Sequence, residues 1–160
     1  MRILGIDPGT GIVGFGVIET NGFKHSLIEA GVIRTPAHQA LDLRLITIYD
    51  SILQIIKSSK PDYSAIEKLF FAQNVTTAIS VSHARGVIML ALAQSNIPIS
   101  EYTPLQIKQA ITGYGKAEKK QIQEMVRAML NLKEVPKPDD CADALAAAIT
   151  HSTKSNILNN

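Results

Sequence analysis

Residues 1–20 read MRILGIDPGTGIVGFGVIET, and the residues after the break at Asp7-Pro8-Gly9 decide the fold. Arg2 to Asp7 is a short apolar run closed by a turn-forming triplet, and Gly9 to Gly14 then fits the G-x-G-x-x-G pattern of a dinucleotide loop. That pattern works only where a helix comes next and offers its N-terminus to the pyrophosphate. Residues 12–20 alternate as a strand instead, so the dinucleotide reading falls away. The glycines belong to a hairpin, where they supply positive φ, close packing, or close backbone approach to a phosphate.

Working outward, residues 2–7, 12–20 and 23–34 form a meander of three strands separated by Gly-containing turns. Residues 41–58 change to helical spacing, with Leu41, Leu45, Ile48, Ile52, Ile55 and Ile56 on one stripe, and Lys60-Pro61-Asp62 stops them. The pattern then predicts a strand over 63–67, a long helix over 72–94, a short strand over 97–101, and a helix over 105–111 launched by Thr103-Pro104. After the Gly113-Tyr114-Gly115 break come helices over 119–130 and 140–153, joined by a proline-bounded loop. The order predicts an α/β fold: a mixed five-stranded sheet flanked by helices, its first strand central and its ligand-binding groups at strand ends. A single domain over 1–153 is expected, with 154–160 as a polar, disordered tail. The IDPGT hairpin also resembles the first phosphate loop of the actin-like ATPases and sugar kinases. Those proteins clasp a nucleotide between two such domains, and 160 residues provide one.

Composition narrows the class. A content of 46% hydrophobic residues is enough for one core without disulfides, and the lone Cys141 can form no internal bridge. No CxxC or Cys/His cluster offers a zinc site, and His25, His38, His83 and His151 show no metal spacing, so no role is assigned to them; His151 reads as a helix-end charge. The chain shows neither a signal-peptide pattern nor an apolar run long enough for a membrane span, which leads to the expectation of a cytoplasmic protein with no membrane partner. Sixteen basic residues face 14 acidic ones; with four acids reserved for a site the balance becomes 16 against 10, a weakly basic body around an acidic pocket.

Those four acids are Asp7, Glu67, Asp140 and Asp143. Asp7 and Glu67 stand where two apolar strands run out. Asp140 and Asp143, three apart, share one face at the start of the last helix, and Asp139 with Asp143 would serve as well. Each has a plain structural reading, as a turn former, a solvated strand end, or first-turn acids favoured by the helix dipole. Together they are harder to dismiss, because ionised acids at the ends of buried strands suffer desolvation unless a cation pairs them. An all-oxygen set points to magnesium or manganese, two ions being plausible with four acids, and to phosphodiester hydrolysis without a protein nucleophile.

At this point the residues resemble a family. GIDPGT around Asp7, AIEKLFFAQN around Glu67 and DDCADALAAAITH around Asp140 and Asp143 are similar to the RuvC family of bacterial Holliday junction resolvases, in order and spacing from Arg2 to His151. The resemblance implies a ribonuclease H-like fold and a magnesium-dependent crossover junction endodeoxyribonuclease of recombination and repair, with manganese able to substitute. It implies that Asp7, Glu67, Asp140 and Asp143 are the metal ligands, the ADAL run fixing Asp143 and hence Asp140 as its partner, with Asp139 as a neighbour or cap. By the same resemblance Phe70 is the aromatic that stacks on or unpairs bases near the cut, and Lys108 and Lys119 are basic positions near the scissile phosphate, with Lys116 and Lys120 extending the patch. The ordinary readings are a core phenylalanine and solvated helix-start lysines. Gln73 departs from the family pattern, which commonly has a base there, and local affinity or sequence preference differs accordingly. The family acts as a homodimer on four-way junction DNA, alongside the branch-migration complex of RuvA and RuvB, and the long helix offers an interface. A nuclease for RNA or another branched nucleic acid, and a non-cleaving junction scaffold, are the competing readings.

Overall fold

The computed structural model describes residues 1–21, 23–68 and 75–158 of the chain. Its elements run β1 (Arg2–Asp7), β2 (Ile12–Thr20), β3 (His25–Arg34), α1 (Leu41–Ser59), β4 (Tyr63–Glu67), α2 (Val75–Gln94), β5 (Ile99–Tyr102), α3 (Pro104–Thr112), α4 (Lys119–Met129) and α5 (Asp139–Leu158). The five strands form one sheet in the order β3-β2-β1-β4-β5. β1, β2 and β3 pair antiparallel as a meander, while β1–β4 and β4–β5 pair parallel. The mixed sheet with β1 at its centre is what the sequence pattern predicts.

Each face of the sheet carries its own core. Leu4, Ile6, Val13, Phe15, Val17 and Ile66 pack against α1 and α2, whereas Ile3, Ile18 and Ala65 pack against α3, α4 and the alanine-rich stretch of α5. The alternation of β1 feeds both cores, which is why its interior residues Ile3, Leu4 and Ile6 are fully buried. α5 lies close to the sheet centre because β1 and β2 present glycine beneath it. A Cβ at Gly5 would collide with the Ala144 carbonyl, and one at Gly14 with the Asp140 carbonyl. α3 begins with a capping box between Thr103 and Gln106 and ends at Gly113 in the left-handed region, at φ 73°.

Several boundaries differ from the sequence reading by a residue, and three differ by more. β3 begins at His25, since the Asn21 side chain accepts the amides of Phe23 and Lys24 at 3.1 and 2.9 Å and keeps those residues in a turn. β5 begins at Ile99 because the Ile97 amide donates back to the Leu92 carbonyl at the end of α2. The largest difference is at the C-terminus, where α5 continues past Thr153 to Leu158, so the expected disordered tail is helical over 154–158. Nothing in that stretch breaks a helix: it has no glycine or proline, and the Thr150 and Thr153 hydroxyls donate to the carbonyls of Ala146 and Ile149.

Candidate active site

In the parallel pairing of β1 with β4, Ile6 lies opposite Ile66, so Asp7 and Glu67 come next, side by side at the carboxyl ends of their strands. On the other flank Asp7 lies opposite Gly14 of β2, the same residue on which the first turn of α5 rests through Asp140. Strand register and a bare glycine thus bring the start of α5 over the strand ends, and Asp140 and Asp143 come with it.

The electrostatics record this convergence. Asp7 is pushed up to about 8, first by burial and then by the charges of Glu67, Asp143 and Asp140, against the opposing pull of Lys119. Glu67 is pushed up to about 7 by burial and the charge of Asp143, with Lys119 and Lys108 opposing. Asp143 is also raised, again by burial first, although the Lys119 ammonium draws it down. Among the described residues no group of three or more His, Cys, Asp and Glu side chains is already gathered closely enough to hold a metal ion. The acids face one another within range of mutual repulsion, and the positive charge placed among them is Lys119. Its Nζ lies 3.1 Å from Asp143 Oδ2 and 3.3 Å from Asp139 Oδ2. Carboxylates that resist ionising together suit a hard divalent cation, which prefers oxygen ligands.

Beside the acids opens a cleft of about 240 Å³. It is lined by Glu67 and Asp143 together with Lys108 of α3 and Lys119 of α4, and by the apolar side chains of Ile107 and Ile122. The cleft therefore carries carboxylates and ammonium groups together, which suits a phosphodiester that must meet a cation and an ammonium. Of the other residues marked in the sequence, Lys116 and Lys120 are exposed and stand outside the cleft lining. Phe70 and Gln73 lie outside the described residues.

Sequence reasoning missed several polar contacts around this site. Thr10, in the turn after Asp7, donates to Ser80 of α2 at 3.0 Å; its carbonyl accepts from Thr35, whose hydroxyl accepts from Arg44 Nε at 2.9 Å. Arg85 of α2 pairs with Glu101 of β5, and Lys68, next to Glu67, reaches the same carboxylate at 4.0 Å. These are ordinary Thr, Ser, Arg and Glu residues far apart in the chain, and no local pattern marks them. His151 corrects the helix-end reading: it is buried within α5, its Nδ1 lies 2.9 Å from the Tyr102 hydroxyl, and burial lowers its pKa. It stands seven residues before the end of α5, far from the C-terminal carbonyls that would favour a positive charge.

The family model described as crossover junction endodeoxyribonuclease RuvC matches residues 3–151. The crossover junction endodeoxyribonuclease RuvC of Desulfitobacterium hafniense is 55% identical over 159 residues, covering 99% of this chain and 96% of that one. Among solved structures, Thermus thermophilus RuvC in complex with a Holliday junction substrate superposes with a TM-score of 0.94 at 34% identity, covering 98% of this chain and 96% of that one. The yeast mitochondrial Holliday junction resolvase shares the fold at a TM-score of 0.69 and 14% identity, over 98% of this chain and 80% of that one.

Proposed function

The chain belongs to the RuvC family of crossover junction endodeoxyribonucleases, and from that premise we propose that it resolves four-way DNA junctions at the acidic cleft, with Asp7, Glu67, Asp140 and Asp143 as ligands of divalent cations. The observation that carries this reading is the convergence of Asp7, Glu67 and Asp143, whose burial and, after it, mutual repulsion push Asp7 up to about 8 and Glu67 up to about 7. A cluster that resists ionisation at neutral pH is costly unless a cation neutralises it. Magnesium, or manganese in its place, would supply Lewis-acid charge and an activated water there. The protein's own residues bind and orient. Lys108 and Lys119 hold the scissile phosphate, Lys116 and Lys120 extend the basic track, and Phe70 stacks on a base beside the cut. Hydrolysis breaks the bond from phosphorus to the 3′ oxygen and leaves a 3′ hydroxyl and a 5′ phosphate.

Two symmetric nicks require two such clefts, and α2 offers the surface for a homodimer. Ile79 and Leu90 are 56% and 51% exposed on it, with Gly86 between them opening the way to close approach. Action alongside the branch-migration complex of RuvA and RuvB belongs to the same reading, by family membership. No helix among the described residues is long and apolar enough to cross a membrane.

The test is cleavage of a mobile four-way junction beside matched linear duplex, in magnesium and in EDTA, for the natural protein and Asp7→Asn. Paired nicks on the junction alone that need both magnesium and Asp7 are the expected result. Binding without nicks in magnesium would leave a scaffold, and equal cutting of duplex a general nuclease.

A further inference from the structure

Tyr114 is 58% exposed between two glycines, in the connection from α3 to α4. Its backbone is nonetheless fastened. The Thr112 hydroxyl lies 2.8 and 3.0 Å from the carbonyl oxygens of Lys108 and Tyr114, either of which can take its one proton, and accepts from the Tyr114 amide at 3.2 Å. On the far side the Ala117 amide donates to the Tyr114 carbonyl at 3.3 Å, and the Ala117 side chain is buried. A ring held out on a pinned backbone gives up little conformational entropy when something packs against it. Among the described residues nothing hydrogen-bonds to the Tyr114 hydroxyl or stacks on its ring.

The neighbours define what could cover it. Leu105, itself 55% exposed, lies over the Gly115 backbone, since a Cβ at Gly115 would come within 2.6 Å of Leu105 Cδ1. Leu105 comes directly after Pro104 in the first turn of α3, at the edge of the cleft. Lys116 follows Tyr114 by two residues, Lys119 and Lys120 begin α4, Lys108 and Lys119 line the cleft, and from Thr103 to Ala117 the chain has no acidic residue. Glu118, the first acid after it, is engaged in the capping box of α4. An exposed aromatic in a lysine-bearing segment free of acids matches a polyanion that carries flat apolar faces.

We infer that Tyr114, in the connection from α3 to α4, is a stacking platform for an unpaired base of the DNA strand that leaves the cleft along α3, with the lysines of this segment on its phosphates. The inference rests on the proposed junction-resolving activity, and it adds an aromatic contact from the connection between α3 and α4. Stacking tolerates any base, so the platform holds the opened strand without fixing the sequence cut.

The experiment measures binding in EDTA of a four-way junction carrying 2-aminopurine near its crossover, by the full chain and its Tyr114→Ala and Tyr114→Phe variants. Tyr114→Ala is expected to weaken junction binding by roughly five-fold or more, the low end of the loss from one base–aromatic stack. Fluorescence quenching on binding should disappear in Tyr114→Ala and persist in Tyr114→Phe. The slope of log affinity against log salt should be the same for all three, since no phosphate contact is removed. Unchanged affinity and quenching in Tyr114→Ala would overturn the inference, as would Tyr114→Phe failing as badly as Tyr114→Ala, which would make the contact a hydroxyl one. If the natural protein neither binds nor nicks the junction, the resolvase reading itself fails, and the control arm shows that separately.

Discussion

Lys119 Nζ lies 3.1 Å from Asp143 Oδ2, an ion pair between α4 and α5 made inside a group of acids. Burial draws the Lys119 pKa down, but its hydrogen bonds to Asp143 and Asp139 and their charges outweigh that, and the pKa is raised. The ammonium therefore stays charged at neutral pH and lowers the repulsion that Asp7, Glu67 and Asp143 exert on one another. It holds some of the charge that a divalent cation would neutralise, in the cleft that would also meet the phosphate.

Lys119→Met separates these two roles. Loss of the ammonium leaves the acids more repulsive and more attractive to a cation, so manganese should bind at least as tightly by titration calorimetry. Single-turnover nicking should nonetheless fall by about ten-fold or more, because a charge on the developing phosphate is lost. Parallel loss of manganese binding and cleavage would instead mean that Lys119 acts by holding Asp143 in place.

The raised acids also set how stability varies with pH without a cation. For Asp7 the folded state holds its proton up to about 8, whereas an unfolded chain releases it near 3.8. Between those values the folded protein binds more protons than the unfolded one, so stability declines as pH rises through that window. Glu67, held near 7 against 4.5, works in the same direction. In EDTA the melting temperature should fall from pH 5 to pH 8, and magnesium should flatten the profile. Asp7→Asn should melt higher than the natural protein in EDTA at pH 8, by on the order of 1 to 3 kcal/mol of stability. A profile in EDTA that rises with pH would remove the burial and repulsion from which the site is argued.

Much of this site is legible in the sequence alone, for a physical reason. Strands buried on both faces read as apolar runs, and an acid at the end of such a run stands out, as Asp7 does after Ile6 and Glu67 after Ile66. The helical i, i+3 rule likewise puts Asp140 and Asp143 on one face. What the chain does not reveal is the third dimension: that Gly14 sits under Asp140, that Lys119 reaches Asp143, and that Arg85 and Glu101 meet across two elements. The end of α5 is hidden because a run of polar residues resembles a helix stop, whereas Thr150 and Thr153 return their hydroxyls to the helix's own carbonyls.

Gly14 should prove a site residue without carrying any chemistry. It pairs with Asp7 in the sheet, and any side chain on it would meet the Asp140 carbonyl and Cβ. Gly14→Ala should cost about 1 to 3 kcal/mol by overpacking and reduce nicking further than its stability loss explains, because it lifts Asp140 from its neighbours. Gly11→Ala is the control. A Cβ there meets only Arg44 Nη2, at 3.5 Å, so stability should hold or rise by about 0.4 to 1 kcal/mol. Equal effects of the two changes, read by thermal melts and nicking rates, would refute the role given to Gly14.

The dimer reading is tested on α2. Ile79, Gly86 and Leu90 recur at helical spacing along an exposed stripe, while Ala84, Ile88, Ala91 and Leu92 are buried against the sheet. Two large apolar side chains left in water on a stripe that narrows to glycine suit a second copy of the same helix. The double change Ile79→Asp, Leu90→Asp adds charge to both copies at once, without touching the core or the cleft. Light scattering should then report a mass near 17.3 kDa in place of twice that value. Single nicks should continue at the catalytic site, but a junction should lose the second, symmetric nick made after the first within one binding event. A variant that remains dimeric and nicks in pairs would move the interface elsewhere on the molecule.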